Sequence, residues 1–370
     1  MSFMSKTAAF MGMHALRDLV TDSIAIDMGS AATIIYVRGR GVVVDEPSLV
    51  AINTITGEVV AIGLEAQQIH GREGRDITVI APLLNGVVAD FERTKEMLAH
   101  FVRKARSGIS YFSRRAMMSV LSGVTQVERR ALLSAAEYAR IGRVVMIEEG
   151  LAAALGGGVR IDDPHASAVV DIGGGTTNVA IVATGSIVHA RGERIGSSDI
   201  NDAIIDHMRR HRGLVIGAQS AERLKLELAS ATLPRDISEE MTVKGRDILS
   251  GSPGAETITA GEVYPVVQHV VRKMADVISA TLTELPAEVA GDIYDRGIIL
   301  TGGGAQFSGL DDYFRDQIKL PVRIADEPKY AIVRGLEQMF DEPLWVRRII
   351  RSEPHPLLDV ESGSSTSFET

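Results

Sequence analysis

Two short segments of the chain repeat one spacing of chemically useful residues. Residues 27–33 read DMGSAAT and residues 171–177 read DIGGGTT, so both follow the pattern Asp-x-Gly-x-x-x-Thr. Glycine and small hydroxyl residues let backbone N–H groups point into a concavity that binds phosphate oxygens. The leading carboxylates, Asp27 and Asp171, suit Mg²⁺ held through water molecules, because this ion gives up its water reluctantly. The pattern predicts binding of a phosphorylated ligand together with its metal ion.

Strands are expected on both sides of each glycine turn. Residues 23–29 (SIAIDMG) read as a buried strand ending at glycine, and a hairpin around residues 38–41 follows; residues 167–193 repeat this order. One glycine turn of this kind is more often structural than functional. A matched pair predicts two similar domains that face each other and bind one triphosphate between them.

The remaining elements alternate between helical and strand patterns. A further strand pair is expected on either side of the Thr56–Gly57 turn. Residues 296–310 (RGIILTGGGAQFSGL) read as a buried strand, a glycine turn and the start of a helix. Apolar spacing predicts helices that begin near Phe91, span about 126–139, and span about 217–230 and 261–284.

Composition and missing motifs exclude several classes of protein. The 370 residues are 45% hydrophobic, enough for two domains, and the absence of cysteine excludes disulfides, thiolate catalysis and cysteine-ligated zinc. The net charge of −9 argues against a nucleic-acid partner. The chain has no G-x-x-x-x-G-K-[ST] motif and no G-x-G-x-x-G that opens a helix, which argues against P-loop and dinucleotide-binding folds. No run approaches the ~20 apolar residues of a membrane-spanning helix.

Several segments together resemble the bacterial actin MreB family over roughly residues 22–341. They include IAIDMGSAATIIYV (24–37), VVDIGGGTTNVAIV (169–182) and DRGIILTGGGAQFSGL (295–310), with GVTQVERRAL, IEEGLAAALG, AERLKLELASA and VKGRDILSG in the family's order. The resemblance implies an α/β actin-like ATPase fold, with two duplicated RNase H-like domains and a nucleotide cleft between them. Residues 22–150 would form the first domain, and 151–341 the second with its nucleotide-closing subdomain.

The resemblance also implies a site for ATP and Mg²⁺. The phosphate loops would be Asp27, Gly29, Ser30, Ala31 and Ala32 in the first domain and Gly173, Gly174, Gly175, Thr176 and Thr177 in the second. Ribose and adenine would meet Glu222, Arg223, Leu224 and Lys225, and the turn of Gly302, Gly303, Gly304 and Ala305 would close under the nucleotide. Asp27 and Asp171 would hold the metal through water. Glu128, Asp171 and Thr176 would serve hydrolysis, with Glu128 orienting the attacking water.

The chain departs from the family's pattern near this site. Ala32 stands where asparagine is usual, Asn178 where glutamate is usual and Gly150 where proline is usual. The run at 196–199 (GSSD) replaces a Gly-Gly-Asp-acid run. These changes bear on the hydrolysis rate more than on the fold, and a diverged paralogue with slow ATP turnover is one alternative.

Two segments are candidates for membrane contact. Tyr111 and Phe112 lie in a polar loop near residues 108–117 beside Arg114 and Arg115, so the rings can enter a bilayer while the arginines meet headgroups, as in the family's apolar loop; the alternative is that both rings cover the core edge. The leader, residues 1–21, reads as an amphipathic membrane helix or as a frayed end. The tail, residues 342–370, is expected to be mostly disordered, because it is Ser-rich and has no apolar pattern from about Arg351 onwards.

The resemblance implies a cytoskeletal function. The protein would form homopolymeric filaments with ATP, hydrolyse ATP slowly, and lie in the cytoplasm at the inner membrane with cell-shape and wall-synthesis proteins as partners. A small-molecule kinase of the same superfamily is the main alternative, although no inserted substrate-binding segment is visible. A DnaK-type chaperone would need a peptide-binding domain after the nucleotide domain, and only about thirty mostly unpatterned residues follow the last expected helix.

Overall fold

The fold contains two five-stranded sheets with the same strand arrangement. A computed structural model describes residues 23–106, 115–160, 162–342 and 344–347. The first sheet has the order β10-β9-β1-β2-β3 and the second the order β13-β12-β11-β17-β18. Its strands are β1 (Ser23–Met28), β2 (Ala32–Val37), β3 (Gly41–Pro47), β9 (Arg115–Val120) and β10 (Arg143–Glu148). The second contains β11 (Ser167–Ile172), β12 (Thr177–Ala183), β13 (Ser186–Glu193), β17 (Ile298–Thr301) and β18 (Val322–Ile324).

Each sheet consists of three antiparallel strands followed by two parallel strands. In the first, β1 pairs with β2 antiparallel and with β9 parallel; in the second, β11 pairs with β12 antiparallel and with β17 parallel. The duplication predicted from the two glycine turns is confirmed at the level of sheet topology.

Smaller sheets and ten α-helices complete the described part of the chain. The small strands are β4 (Val50–Asn53), β5 (Val59–Ile62), β6 (Ile77–Ile80), β7 (Leu83–Leu84), β8 (Val87–Val88), β14 (Leu214–Val215), β15 (Glu240–Asp247) and β16 (Pro253–Thr259). The helices are α1 (Leu64–Ile69), α2 (Phe91–Ala105), α3 (Gln126–Tyr138), α4 (Glu149–Gly156), α5 (Ser197–His211), α6 (Ala218–Glu227), α7 (Ala260–Thr283), α8 (Ala287–Arg296), α9 (Leu310–Ile318) and α10 (Ala331–Gln338). None of these helices is long and apolar enough to cross a bilayer.

Local signals explain where the predicted helices begin. The Asp90 carboxylate accepts a hydrogen bond from the Arg93 backbone N–H at 3.1 Å and so caps α2. Helix α3 begins with a reciprocal capping box between Thr125 and Glu128. The helices expected near Phe91 and at about 126–139, 217–230 and 261–284 are confirmed, with bounds shifted by at most a few residues.

Three large apolar cores hold these layers together, and a fourth, small cluster contains Ala51, Ala61 and Ala66. One lies between the first sheet, α2 and α3; a second joins the second sheet to α5 and α7. The third lies between the two sheets and is built around α4 and α10, with Ala25 from β1 and Val169 from β11 on either side. The faces of the two sheets that turn towards each other are therefore separated by this single pair of helices.

The chain beyond α10 remains packed for a few residues. Residues 344–347 form a helical turn, and the Trp345 ring covers Gly185, where an added Cβ would lie 2.4 Å from the ring. The expected boundary of the tail at residue 342 thus falls before a packed turn. The leader and residues 348–370 lie outside the described residues.

Candidate functional site

The two glycine turns meet at one cavity between the sheets. In the first turn the Gly29 N–H donates to the Ala32 carbonyl at 3.0 Å, and in the second the Gly173 N–H donates to the Thr176 carbonyl at 2.9 Å. This matched bond shows that the repeated spacing gives the same turn twice. The turns touch: a Cβ added to Gly174 would lie 2.4 Å from the Cβ of Ala31. Glycine is required at position 174 because the opposite domain occupies that space.

Strand periodicity explains why two carboxylates point into the same cavity. Alternate residues of a strand face opposite sides, so Asp27 shares a face with Ala25, and Asp171 shares a face with Val169. Ala25 and Val169 both belong to the core between the sheets. The aspartates follow them at the ends of the parallel-paired strands, and both line the cavity.

Most of the residues predicted to bind the nucleotide or its metal ion line this cavity of about 150 Å³. Those present are Asp27, Gly29, Ser30, Ala31, Ala32, Asp171, Gly173, Gly174, Gly175, Thr176, Gly302, Gly303 and Gly304. Thr177 and Ala305 are buried and do not line the cavity. Residues that sequence reasoning did not single out also line it: Met28, Ile34, Gly86, Glu149, Ser197, Lys329 and Ile332.

The segment expected to contact ribose and adenine lies beside the cavity and does not line it. Glu222 accepts from Lys225 Nζ at 2.8 Å and from Asn201 Nδ2 at 2.6 Å. Lys225 is buried and also donates to the carbonyl of Ser197, a lining residue, at 3.3 Å. Leu224 packs in the second core, and Arg223 donates to the Thr242 carbonyl at 3.4 Å. Of the four residues, only Lys225 is therefore hydrogen-bonded to a lining residue, Ser197, and Glu222 is hydrogen-bonded to Lys225.

Three carboxylates crowd the cavity and disfavour one another's charged forms. Burial raises the pKa of Asp27 to about 7, and the charge of Asp171 adds to the effect while a hydrogen bond from Ser119 opposes it. Burial likewise raises the pKa of Asp171 to about 6. The pKa of Glu149 lies well above its usual range because of burial and the charges of Asp27 and Asp171. Such a cluster attracts cations.

The residues present fit a magnesium ion that is shared with phosphate. No group of three or more His, Cys, Asp or Glu side chains in the described ranges can hold a metal ion by itself. Two carboxylates beside the two glycine turns match the usual Mg²⁺ arrangement, in which water and substrate oxygens complete the coordination shell.

Glu128 occupies a different place from the one its expected role requires. Its carboxylate accepts from the backbone N–H of Thr125 at 2.8 Å and from the Thr125 hydroxyl at 2.7 Å. These bonds cap α3 and lower the pKa of Glu128. Glu128 is absent from the cavity lining, whereas Glu149, the first residue of α4, belongs to it.

Comparisons with known proteins agree with this geometry. The family model described as "MreB/Mbl protein" matches residues 21–347. The cell shape-determining protein MreB of Escherichia coli (strain K12) is 39% identical over 329 residues, which are 87% of this chain and 94% of that protein. The chain belongs to the MreB/Mbl family. The cell shape-determining protein Mbl of Bacillus subtilis (strain 168) is 36% identical over 318 residues, 86% of this chain and 95% of that protein.

Solved structures confirm the actin-like fold of this MreB/Mbl family member. MreB5 of Spiroplasma citri bound to AMPPNP matches with a TM-score of 0.83 and 33% identity, covering 90% of this chain and 99% of that one. The same protein bound to ADP matches with a TM-score of 0.83. The MamK double helical filament, at 18% identity and a TM-score of 0.72, shares the fold. The chain is a bacterial actin homologue.

Two departures from the family's pattern are accommodated by neighbouring residues. Asn178 places its Nδ2 3.4 Å from Glu149 Oε2 and 3.4 Å from the Thr176 hydroxyl. An amide donates to Glu149 where a carboxylate would repel it. A Cβ on Gly150 would lie 2.4 Å from the Cβ of Ala180, so the glycine lets α4 approach β12.

The carboxylate cluster predicts how the stability of the nucleotide-free, metal-free protein depends on pH. Folding raises the pKa of Asp27 and Asp171 from 3.8 to about 7 and about 6, so the folded state binds more protons than the unfolded state in that interval. Taken together, these two shifts should therefore lower the free energy of unfolding by about 6 kcal/mol between pH 4 and pH 7. Thermal unfolding in EDTA at pH 4.5, 6 and 7.5 measures this.

The variant Asp27→Asn is the control for the pH effect. It removes one titrating group, so the fall in melting temperature between pH 4.5 and 7.5 should become smaller. Ion pairing lowers the pKa values of Asp163 and Glu262 to about 2. Protonation of these two groups therefore reduces the free energy of unfolding only when the pH falls below about 4. A melting temperature that rises steadily from pH 4.5 to 7.5 would contradict the prediction.

Proposed function

We propose that this protein is an ATP-dependent filament-forming actin homologue that takes part in determining cell shape. The observation that carries the proposal is the meeting of the two matched glycine turns at one cavity. A triphosphate bound there contacts both domains, so its presence or loss alters how the domains sit against each other. Relatives named cell shape-determining proteins and a related protein solved with AMPPNP and ADP support this function.

Backbone N–H groups of the two turns would bind the phosphates. Ser30, Ala31 and Ala32 provide the first set, and Gly174, Gly175 and Thr176 provide the second. Asp27 and Asp171 would face the magnesium ion that accompanies the phosphates, and its positive charge offsets the repulsion among the carboxylates. The turn of Gly302–Ala305 and the Glu222–Lys225 segment would contact the nucleoside part.

Hydrolysis would use Glu149 in place of Glu128. Glu149 lies on the cavity wall at the start of α4, with the Asn178 amide beside its carboxylate. A carboxylate there can orient a water molecule in line with the terminal phosphate. Thr176 lies close enough to Asn178 to share in holding that water. We expect slow ATP hydrolysis, because it would be coupled to filament assembly and not to metabolic catalysis.

The two domains also contact each other away from the turns. Gln219 at the start of α6 donates to the Gln67 carbonyl at 2.8 Å and accepts from Arg72 at 3.1 Å. Gln67 and Arg72 belong to the first domain, and Gln219 to the second. These contacts support a conformation in which ATP holds both domains together for assembly.

Filaments would lie on the cytoplasmic face of the inner membrane beside wall-synthesis proteins. Tyr111 and Phe112, the residues proposed to insert, are outside the described residues, as is the leader. With a net charge of −9, membrane contact must be local and apolar. Replacing Tyr111 and Phe112 together by serine should abolish co-sedimentation with liposomes while ATP binding persists. Unchanged lipid binding would refute the loop assignment.

Sedimentation of the full chain tests the filament function directly. The protein is centrifuged with ATP, with ADP and without nucleotide, each with and without liposomes. A pellet that depends on ATP supports the proposal, and a protein that stays soluble and monomeric under every condition refutes it. Consumption of ATP should rise with protein concentration; a rise that depends instead on an added sugar would favour the kinase alternative.

A further inference from the structure

The duplication of the two domains extends to a hydroxyl group beside each aspartate of the cavity. The Ser119 hydroxyl on β9 donates to Oδ1 of Asp27 at 2.8 Å. The Thr301 hydroxyl on β17 donates to Oδ1 of Asp171 at 3.0 Å. Strand β9 is the parallel neighbour of β1, and β17 is the parallel neighbour of β11, so the two hydroxyls occupy equivalent places in the two sheets.

Both hydroxyl groups are buried and donate hydrogen bonds to these carboxylates. Ser119 is 4% exposed and Thr301 is 0% exposed, so water does not compete for the bonds. Thr301 has one other acceptor, the Val170 carbonyl, at the longer distance of 3.4 Å. Among the described residues, no other side chain donates a hydrogen bond to either aspartate. Each carboxylate therefore has one oxygen hydrogen-bonded to the neighbouring strand, while its other oxygen accepts no hydrogen bond from a side chain among the described residues.

A hydrogen bond to one carboxylate oxygen fixes the direction in which the other oxygen points. A carboxylate can rotate about its terminal side-chain torsion, which has only a broad preference. A donor on one oxygen restricts that rotation, and outer hydrogen bonds of this kind commonly set the orientation of groups around a metal. Orientation matters most for an ion held through its water molecules, because those waters need acceptors at fixed positions.

We propose that Ser119 and Thr301 are positioning residues that orient Asp27 and Asp171 towards the water shell of the magnesium ion bound with ATP. The inference rests on the proposed nucleotide function and adds two residues to it. Neither hydroxyl lines the cavity, so both act through the aspartates. A purely structural role would instead affect folding or nucleotide binding whether or not magnesium is present.

The test measures how magnesium strengthens the binding of a fluorescent ATP analogue, at protein concentrations where nothing sediments. The variants Ser119→Ala and Thr301→Val each remove one hydroxyl. In each variant, the Mg²⁺ concentration that gives half of the full gain in analogue affinity should rise about 10-fold, the scale usual for outer-shell partners of a metal. The dissociation constant measured in EDTA should stay within about twofold of the parent's. Thr301→Ser keeps the hydroxyl and should restore the parent's magnesium dependence.

Thr281→Val is the matched control, because it removes a buried hydroxyl that donates to the Val277 carbonyl within α7 and to neither aspartate. Ser119→Cys supplies a weaker donor of similar shape and should give an intermediate shift, which guards against misfolding of the alanine variant. The inference is overturned if folded variants keep the parent's magnesium dependence, or if their affinity for the analogue falls equally in EDTA and in magnesium. Either result leaves the proposed function standing. A parent protein that binds no nucleotide overturns the proposed function as well.

Discussion

Replacing Glu149 by glutamine is expected to slow ATP hydrolysis at least about 100-fold while ATP binding persists. Glu149 lies on the cavity wall with Asp27 and Asp171, and a positioned carboxylate that accepts a proton or orders water contributes on the order of 10²-fold or more. Burial and the neighbouring carboxylates already favour the neutral form of Glu149, which glutamine resembles in charge and shape, so affinity for ATP should be about unchanged. Single-turnover hydrolysis at saturating protein measures the chemical step without interference from assembly.

Glu128→Gln is the matched control for that experiment. Glutamine can maintain the capping box with Thr125, so α3 should keep its beginning and the hydrolysis rate should change by less than about twofold. Filaments of Glu149→Gln should also persist longer in ATP, because the nucleotide stays intact. If Glu128→Gln hydrolysed ATP slowly and Glu149→Gln hydrolysed it at the parent's rate, the water-orienting residue would be Glu128.

The assignment of Glu149 shows what the sequence could not decide. Residues 148–150 read as the end of a strand and the start of a helix, and nothing in the local pattern tells which of two adjacent glutamates faces the cavity. The answer depends on where α4 lies between the sheets. Glu128 belonged to a recognisable motif, but a Thr-x-x-Glu run is also a capping box, and capping is what its carboxylate does in the structure.

The turns and strands were predictable because their signals are local. The spacing Asp-x-Gly-x-x-x-Thr marks both phosphate turns, and alternation along β1 and β11 is enough to give Asp27 and Asp171 the same orientation. The hydroxyls of Ser119 and Thr301 were not predictable in this way. Their partners lie 92 and 130 residues away along the chain, so only the strand order brings them together.

The sequence also does not reveal how closely the two helices between the sheets approach each other. Gly156 reads as a helix stop, and it does end α4, but it also lets α10 approach: a Cβ at Gly156 would lie 1.8 Å from the Ala331 carbonyl oxygen. Gly335 of α10 has the reciprocal position, with 1.8 Å between an added Cβ and the Ala152 carbonyl oxygen. The two helices thus cross with a glycine of each against the backbone of the other.

Gly335→Ala is therefore expected to lower the free energy of unfolding by about 3 kcal/mol or more, the upper part of the range for overpacked cores. The obstructing atoms belong to the Ala152 backbone, which cannot move aside as a flexible side chain would. Helices α4 and α10 must separate instead, and their separation disturbs the core shared by both sheets. Equilibrium denaturation in urea, without nucleotide and below the concentration for assembly, measures the loss.

Gly291→Ala gives the comparison that isolates packing from backbone freedom. Gly291 lies inside α8, and an added Cβ there would meet no atom within 4 Å. Alanine should stabilise the protein at that site by about 0.5–1 kcal/mol, because it favours the helix and loses less conformational entropy on folding. Both substitutions change glycine to alanine in a helix, so opposite signs can come only from the space around them. Two effects of the same sign would contradict the close crossing of α4 and α10, on which the placement of Glu149 depends.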